Sequence, residues 1–137
     1  MVNIAYLGNN PSQEAVLQQT GCNLVASATG FAALSQALDS SIPTDSHIVL
    51  FMQGELLENE FRGISPLHQK RPNMIYILIN PQDNNIRFKL TNLRGVHGSI
   101  SYDFTTSDVL DKLRLISLYE DFFFSPGINE AKMRSFV

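Results

Sequence analysis

At 137 residues, 44% hydrophobic and 17% charged, the chain has material for one buried core and is too short for two of ordinary size. That composition excludes a disordered protein, and a net charge of -3 with ten scattered basic residues speaks against a nucleic-acid surface. One cysteine, Cys22, excludes an internal disulfide and leaves no second sulfur for a metal cage. In chain order, four continuous apolar runs predict strands covered on both faces: Val2–Leu7, Asn23–Ala28, His47–Met52 and Met74–Ile79. A weaker fifth is Gly98–Ser101. The first helix is expected from Ser12, an N-cap after Pro11, through Ala15, Val16 and Leu17, with Gly21 as its stop. The second, Phe31–Leu38, places Phe31, Leu34, Ala37 and Leu38 on one stripe. A third is expected over Glu55–Ile64 and a fourth over Asn85–Leu93. The last begins at the Thr105-Thr106-Ser107 caps and runs through Leu113, Ile116 and Leu118 towards Phe122.

Strand–helix alternation of this kind predicts an α/β fold, a doubly wound five-stranded parallel sheet between two helical layers. Residues 1–124 read as one domain and 125–137, after the Ser-Pro-Gly break, as a tail or a linker into a missing domain. The longest apolar runs hold about half a dozen residues against the ~20 that cross a bilayer. The opening Met1-Val2-Asn3-Ile4 has no positive segment before a long apolar one. A cytoplasmic protein with no membrane span is therefore expected. His47, His68 and His97 share no ligand spacing, so no metal is expected, and Cys22 reads as an inert small hydrophobe.

Val25-Ala26-Ser27-Ala28-Thr29-Gly30-Phe31-Ala32-Ala33-Leu34 resembles the second strand and helix of the CheY-like response-regulator receivers, where alanine ends the strand and glycine turns. His47-Ile48-Val49-Leu50-Phe51-Met52 is similar to the strand that presents their phosphorylated aspartate, and Ile75–Ile79 to the one before the switch Ser/Thr. Gly95-Val96-His97-Gly98-Ser99-Ile100-Ser101 resembles their fifth turn and strand. The resemblance spans about residues 2–123 and implies the strand order 2-1-3-4-5, with two helices on one face and three on the other.

The departures fall on the family's chemistry. Its acidic pair aligns with Gly8-Asn9-Asn10, its phosphoacceptor with Met52, its switch hydroxyl with Ile79 or Asn80 and its lysine with Tyr102. Amides without charge hold Mg²⁺ weakly, and Met52 has no nucleophilic oxygen. The pocket of Gly8, Asn9, Asn10, Met52, Asn80 and Tyr102 therefore reads as degenerate, with no catalytic residue and no cofactor. Taken singly, Met52 also reads as core filler and Asn9-Asn10 as turn chemistry.

The resemblance then implies a phosphorylation-independent module that binds a protein partner, a second copy of itself first. Receiver relatives pair through the face of the fourth and fifth strands, and Arg94, Asp111 and Arg114 would lie there, although such residues often form plain solvated surface. Phe123 and Phe124 join them, because Phe122-Phe123-Phe124 cannot all face one side of a helix, so one of them is covered by a partner or folds back on the core. Atypical receivers of this kind occur at the N-terminus of TadZ/CpaE pilus-assembly proteins, ahead of a ParA/MinD-like ATPase domain; no ATPase motif stands in this chain. A flavodoxin-like binder of a nucleotide or flavin is the alternative, with Ser27-Ala28-Thr29-Gly30 as its phosphate loop. An enzyme built on Asn9, Asn10, Glu55, Asn80 and Asp103 lacks a paired base and nucleophile.

Overall fold

In the computed structural model, which describes residues 2–56, 64–83 and 96–118, the elements are β1 (Asn3–Leu7), α1 (Pro11–Gln18), β2 (Asn23–Ala28), α2 (Phe31–Ser41), β3 (Ile48–Gln53), α3 (Ile64–Lys70), β4 (Met74–Ile79), β5 (Gly98–Ile100) and α4 (Thr106–Leu118). The strands form one parallel sheet in the order β2-β1-β3-β4-β5. Order and direction are those the alternation and the resemblance imply.

Alternation along each strand fills two separate cores. Ala5, Leu7, Leu50, Met52, Tyr76 and Leu78 face one layer with Leu34 and Leu38 of α2 and Leu67 of α3. Ile4, Tyr6, Phe51, Ile77 and Ile79 face the other with Leu17 of α1 and Val109, Leu113 and Ile116 of α4. Every residue of β3 and β4 is buried, which is why both runs are continuous in the sequence. Among the described residues α1 and α4 cover one face and α2 and α3 the other. The expected Asn85–Leu93 helix lies outside the described residues.

Several boundaries differ from the expectation. The N-cap of α1 is Asn10, whose side chain accepts from the Ser12 and Gln13 amides, and Pro11 opens the helix. Asn10 replaces Ser12 as cap because its carboxamide reaches two orphan donors while proline fills the first position. Gly21 does break the chain after α1, with φ of 80°. A helix stands at Ile64–Lys70, where the sequence pattern ends one; Pro66 sits in its first turn, where no helical N–H is lost. Residues 54–56 are helical, and the remainder of the expected Glu55–Ile64 helix up to Ile64 lies outside the described residues.

The C-terminus of α2 has no basic residue of its own in its last turn. Arg71, fully buried just beyond α3, supplies the charge. Its guanidinium donates to the Pro43 carbonyl at 2.9 Å, the Ile42 carbonyl at 3.2 Å and Asp39 Oδ1 at 3.1 Å. Lys70 also pairs with Asp39, and that pairing, ahead of the Arg71 bond, holds the Asp39 carboxyl below its usual range. Two cations at the carbonyl end of α2 complement its dipole.

In the α2-facing core, the Tyr76 ring lies parallel to His97 with centroids 5.9 Å apart, and its Oη has no hydrogen-bond partner among the described residues. Burial raises the pKa of that hydroxyl. Tyr76→Phe is therefore expected to leave stability unchanged or to raise it by up to about 1 kcal/mol, since a buried hydroxyl without a partner costs its desolvation. Urea unfolding checks this, and a clear loss would show that the hydroxyl is bonded.

Candidate functional site

Doubly wound sheets place their ligands at the carboxyl ends of the strands, where the chain leaves β1 and β3. Gly8 continues β1, its N–H bonded to the Ala28 carbonyl at 2.9 Å. A Cβ at Gly8 would come within 2.2 Å of Tyr6 Oη, so only glycine lets the tyrosine fold back under the loop. At Gly54 a Cβ would meet Pro81 Cδ at 2.7 Å and the Ile79 carbonyl at 2.8 Å, which brings the ends of β3 and β4 close together.

Around Tyr6 the edge is a network of neutral groups. Tyr6 Oη donates to Gln13 Oε1 at 2.7 Å and accepts from the Asn10 N–H at 3.2 Å. Asn10 Oδ1 is committed to the Ser12 and Gln13 amides at 2.9 and 3.2 Å, which leaves Nδ2 to donate to Tyr102 Oη at 3.1 Å. Gln13, buried on α1, donates from Nε2 to the Tyr102 carbonyl at 3.1 Å. The Asn9 N–H gives its bond to Gln53 Oε1 at 2.8 Å. Burial, with an Asn10 backbone bond opposing it and the electrostatic influence of Glu14 and Glu55 adding to it, pushes the Tyr6 hydroxyl up to about 12. Tyr6 therefore remains a neutral donor throughout the physiological range.

The structure brings Gly8, Asn9, Asn10 and Tyr102 together at this edge. Met52 stands at the same end of the sheet, paired in register with Leu7, but its side chain is fully buried in the core cluster with Leu7, Leu34 and Leu78. The polar group that β3 brings to the edge is Gln53, one residue later. Asn80 donates its backbone N–H to the Ile100 carbonyl at 2.9 Å and lines an open groove of about 400 Å³ with Ser99, Ser101, Asp108, Lys112 and Leu115. That groove lies between β5 and α4. Glu55 accepts from the Gln82 N–H at 3.4 Å, and Asp103 is exposed.

Of the surface candidates, Asp111 and Arg114 pair with each other at 3.2 Å over one turn of α4, both well exposed. Such a pair contributes little to stability. Arg94, Phe123 and Phe124 lie outside the described residues. On α4, Val109, Leu113 and Ile116 are buried while Leu110 and Leu115 remain 38% and 41% exposed, so the helix carries more apolar surface than its packed stripe uses.

Sequence reasoning missed Gln13, Gln53 and Tyr6. A polar residue directly after a wholly apolar strand is the signal that marks Gln53. For Gln13, the i, i+4 spacing to buried Leu17 puts an amide on the inward stripe of α1. Tyr6 is hidden inside an apolar run, and nothing local distinguishes its hydroxyl.

No family model matches the sequence, and no curated protein matches it. Solved structures similar in shape include the following three. The signal receiver domain of an HD domain-containing protein from Pseudomonas fluorescens Pf-5 superposes with a TM-score of 0.66 at 18% identity, over 88% of this chain and 90% of that one. A CheY-like protein, TadZ, from Pseudomonas aeruginosa PAO1 gives 0.60 at 21% identity, over 85% of this chain and 99% of that one. The isolated REC domain of RcsB from Salmonella enterica serovar Typhimurium, in its apo form, gives 0.64 at 15% identity, over 86% and 89%. By its strand order, its all-parallel sheet and these likenesses, the chain has the fold of the CheY-like receiver domains.

Proposed function

We propose that this domain is a receiver-like interaction module that works without phosphorylation and catalyses no reaction. The observation that carries the reading is the neutral network at the carboxyl edge, where the family keeps its acidic pair. The donors there do not fit a magnesium ion: Asn10 Oδ1 already accepts two helix amides, and Asn9 and Gln53 add no charge. Met52 brings a thioether to the phosphoacceptor position and is buried besides. Without a nucleophile, a metal and a lysine, phosphoryl transfer has neither its positioning nor its charge neutralisation.

A receiver fold without that chemistry keeps its surfaces. We place the partner contact on the side bearing α4, with Asp111, Arg114, Arg94, Phe123 and Phe124 as its residues and a second copy of this chain as the first partner. Exposed Leu110 and Leu115 support that choice. The likeness to the TadZ structure supports a narrower reading, an N-terminal domain ahead of a ParA/MinD-like ATPase in cytoplasmic pilus assembly. No helix among the described residues is long and apolar enough to cross a membrane.

Incubation with acetyl phosphate, or with beryllofluoride and Mg²⁺, is expected to produce no mass increase and no amide shifts around Asn9, Met52 and Asn80. A phosphoprotein, or shifts clustered on those residues, would overturn the reading. In sedimentation, the wild type should associate with rising concentration and the Phe123→Ser, Phe124→Ser double variant should stay folded and monomeric.

A further inference from the structure

We propose that Tyr102 is a clasp that fixes the loop entering α4 against the first turn of α1 and so holds the α4 surface in one arrangement. The proposal rests on reading the edge as one that does not take a phosphoryl group, and it adds what occupies the edge and what that does. Tyr102 makes two separate bonds to α1: its hydroxyl accepts from Asn10 Nδ2 at 3.1 Å and its carbonyl accepts from Gln13 Nε2 at 3.1 Å. These bonds join residues 92 and 89 positions apart, the two ends of the described fold.

The donors cannot turn away. Asn10 Oδ1 caps the helix, and Gln13 Oε1 receives the Tyr6 proton, so both amides must present nitrogen to Tyr102. Reversing Asn10 would leave the helix amides without their acceptor, and reversing Gln13 would set its Oε1 against the Tyr102 carbonyl oxygen. On the far side of Tyr102 the loop is equally constrained. Phe104 is buried and stacks on Phe51 at 6.4 Å, and Thr105 and Asp108 form a reciprocal cap at 2.9 and 3.1 Å that starts α4. Only Ser101 to Thr105 separate β5 from α4, so a shift at Tyr102 passes directly into the first turn of that helix. No member of the clasp carries a formal charge, so neither a cation nor a phosphoryl group is required to close it.

Amide hydrogen exchange tests this on the whole chain. Tyr102→Phe removes one bond and keeps the ring. Asn10→Ser keeps a capping oxygen and removes the Nδ2 donor. Each variant is expected to lower protection of the amides of Phe104, Asp108 and Val109 about fivefold, the worth of one hydrogen bond, while β3 and β4 amides keep theirs. The double variant should lose no more than either single one, because both remove the same contact. An equal loss in β3 and β4, no loss at all, or additive losses would each overturn the clasp. Shifts on adding beryllofluoride and Mg²⁺ to the wild type would instead overturn the phosphorylation-independent reading and leave the exchange result to stand separately.

Discussion

Replacing Arg71 with alanine is expected to lower the unfolding free energy by about 2–3 kcal/mol, the combined cost of losing hydrogen bonds from a charged donor and opening a void. The guanidinium is fully buried, and three of its bonds hold the C-terminal end of α2 and the loop that follows it. Truncation leaves the Ile42 and Pro43 carbonyls without these donors, opens a void beneath them and removes a charge that α2 does not supply itself. Arg71→Lys should recover less than half of the loss, since one ammonium cannot reach Pro43, Ile42 and Asp39 with the geometry of a planar fork. Urea unfolding midpoints measure both. A loss under about 1 kcal/mol for the alanine variant would mean that the loop carbonyls find water at little cost.

Acid is expected to destabilise the fold well above the carboxylate range, through His97. Its Nδ1 accepts the Tyr76 N–H at 3.0 Å and its backbone N–H donates to the Tyr76 carbonyl at 2.8 Å, so residue and ring together extend the ladder at the start of β5. Only the neutral ring can accept that bond. Burial, with the charge of His68 adding to it, lowers its pKa from 6.5 to about 4. The unfolded chain therefore takes up the proton first. The contribution is complete above pH 6.5 and is lost as pH falls from there through about 4. Over that window the loss amounts to about 3 kcal/mol as an order of magnitude. His97→Asn keeps an acceptor near the same place and does not titrate, so its stability curve should be flatter than the wild type's between neutral pH and pH 4. Parallel curves for the two proteins would show that other groups carry the acid transition.

The amino-acid sequence by itself determined the strands, their number and the α/β class. A strand buried on both faces must be apolar at every position, and β3 and β4 meet that demand without exception. It also put no carboxylate at Gly8, Asn9, Asn10 or Met52, identities that need no coordinates to read. Helix ends were less legible. Asn10 caps α1 in place of Ser12, and α3 stands where the pattern closes, because a cap depends on which side chain reaches an amide in space. Only the tertiary structure decided what fills the edge and what steadies the rim. Gln13, Gln53, Arg71 and His97 are all buried although their residue types are ordinarily exposed. Each polar side chain is tolerated there through partners 21 to 89 residues away in the chain, with Tyr76 serving His97 and Tyr102 serving Gln13. A hydrogen bond of that separation leaves no periodicity behind, since its two ends are set by independent elements and meet only when the domain has formed.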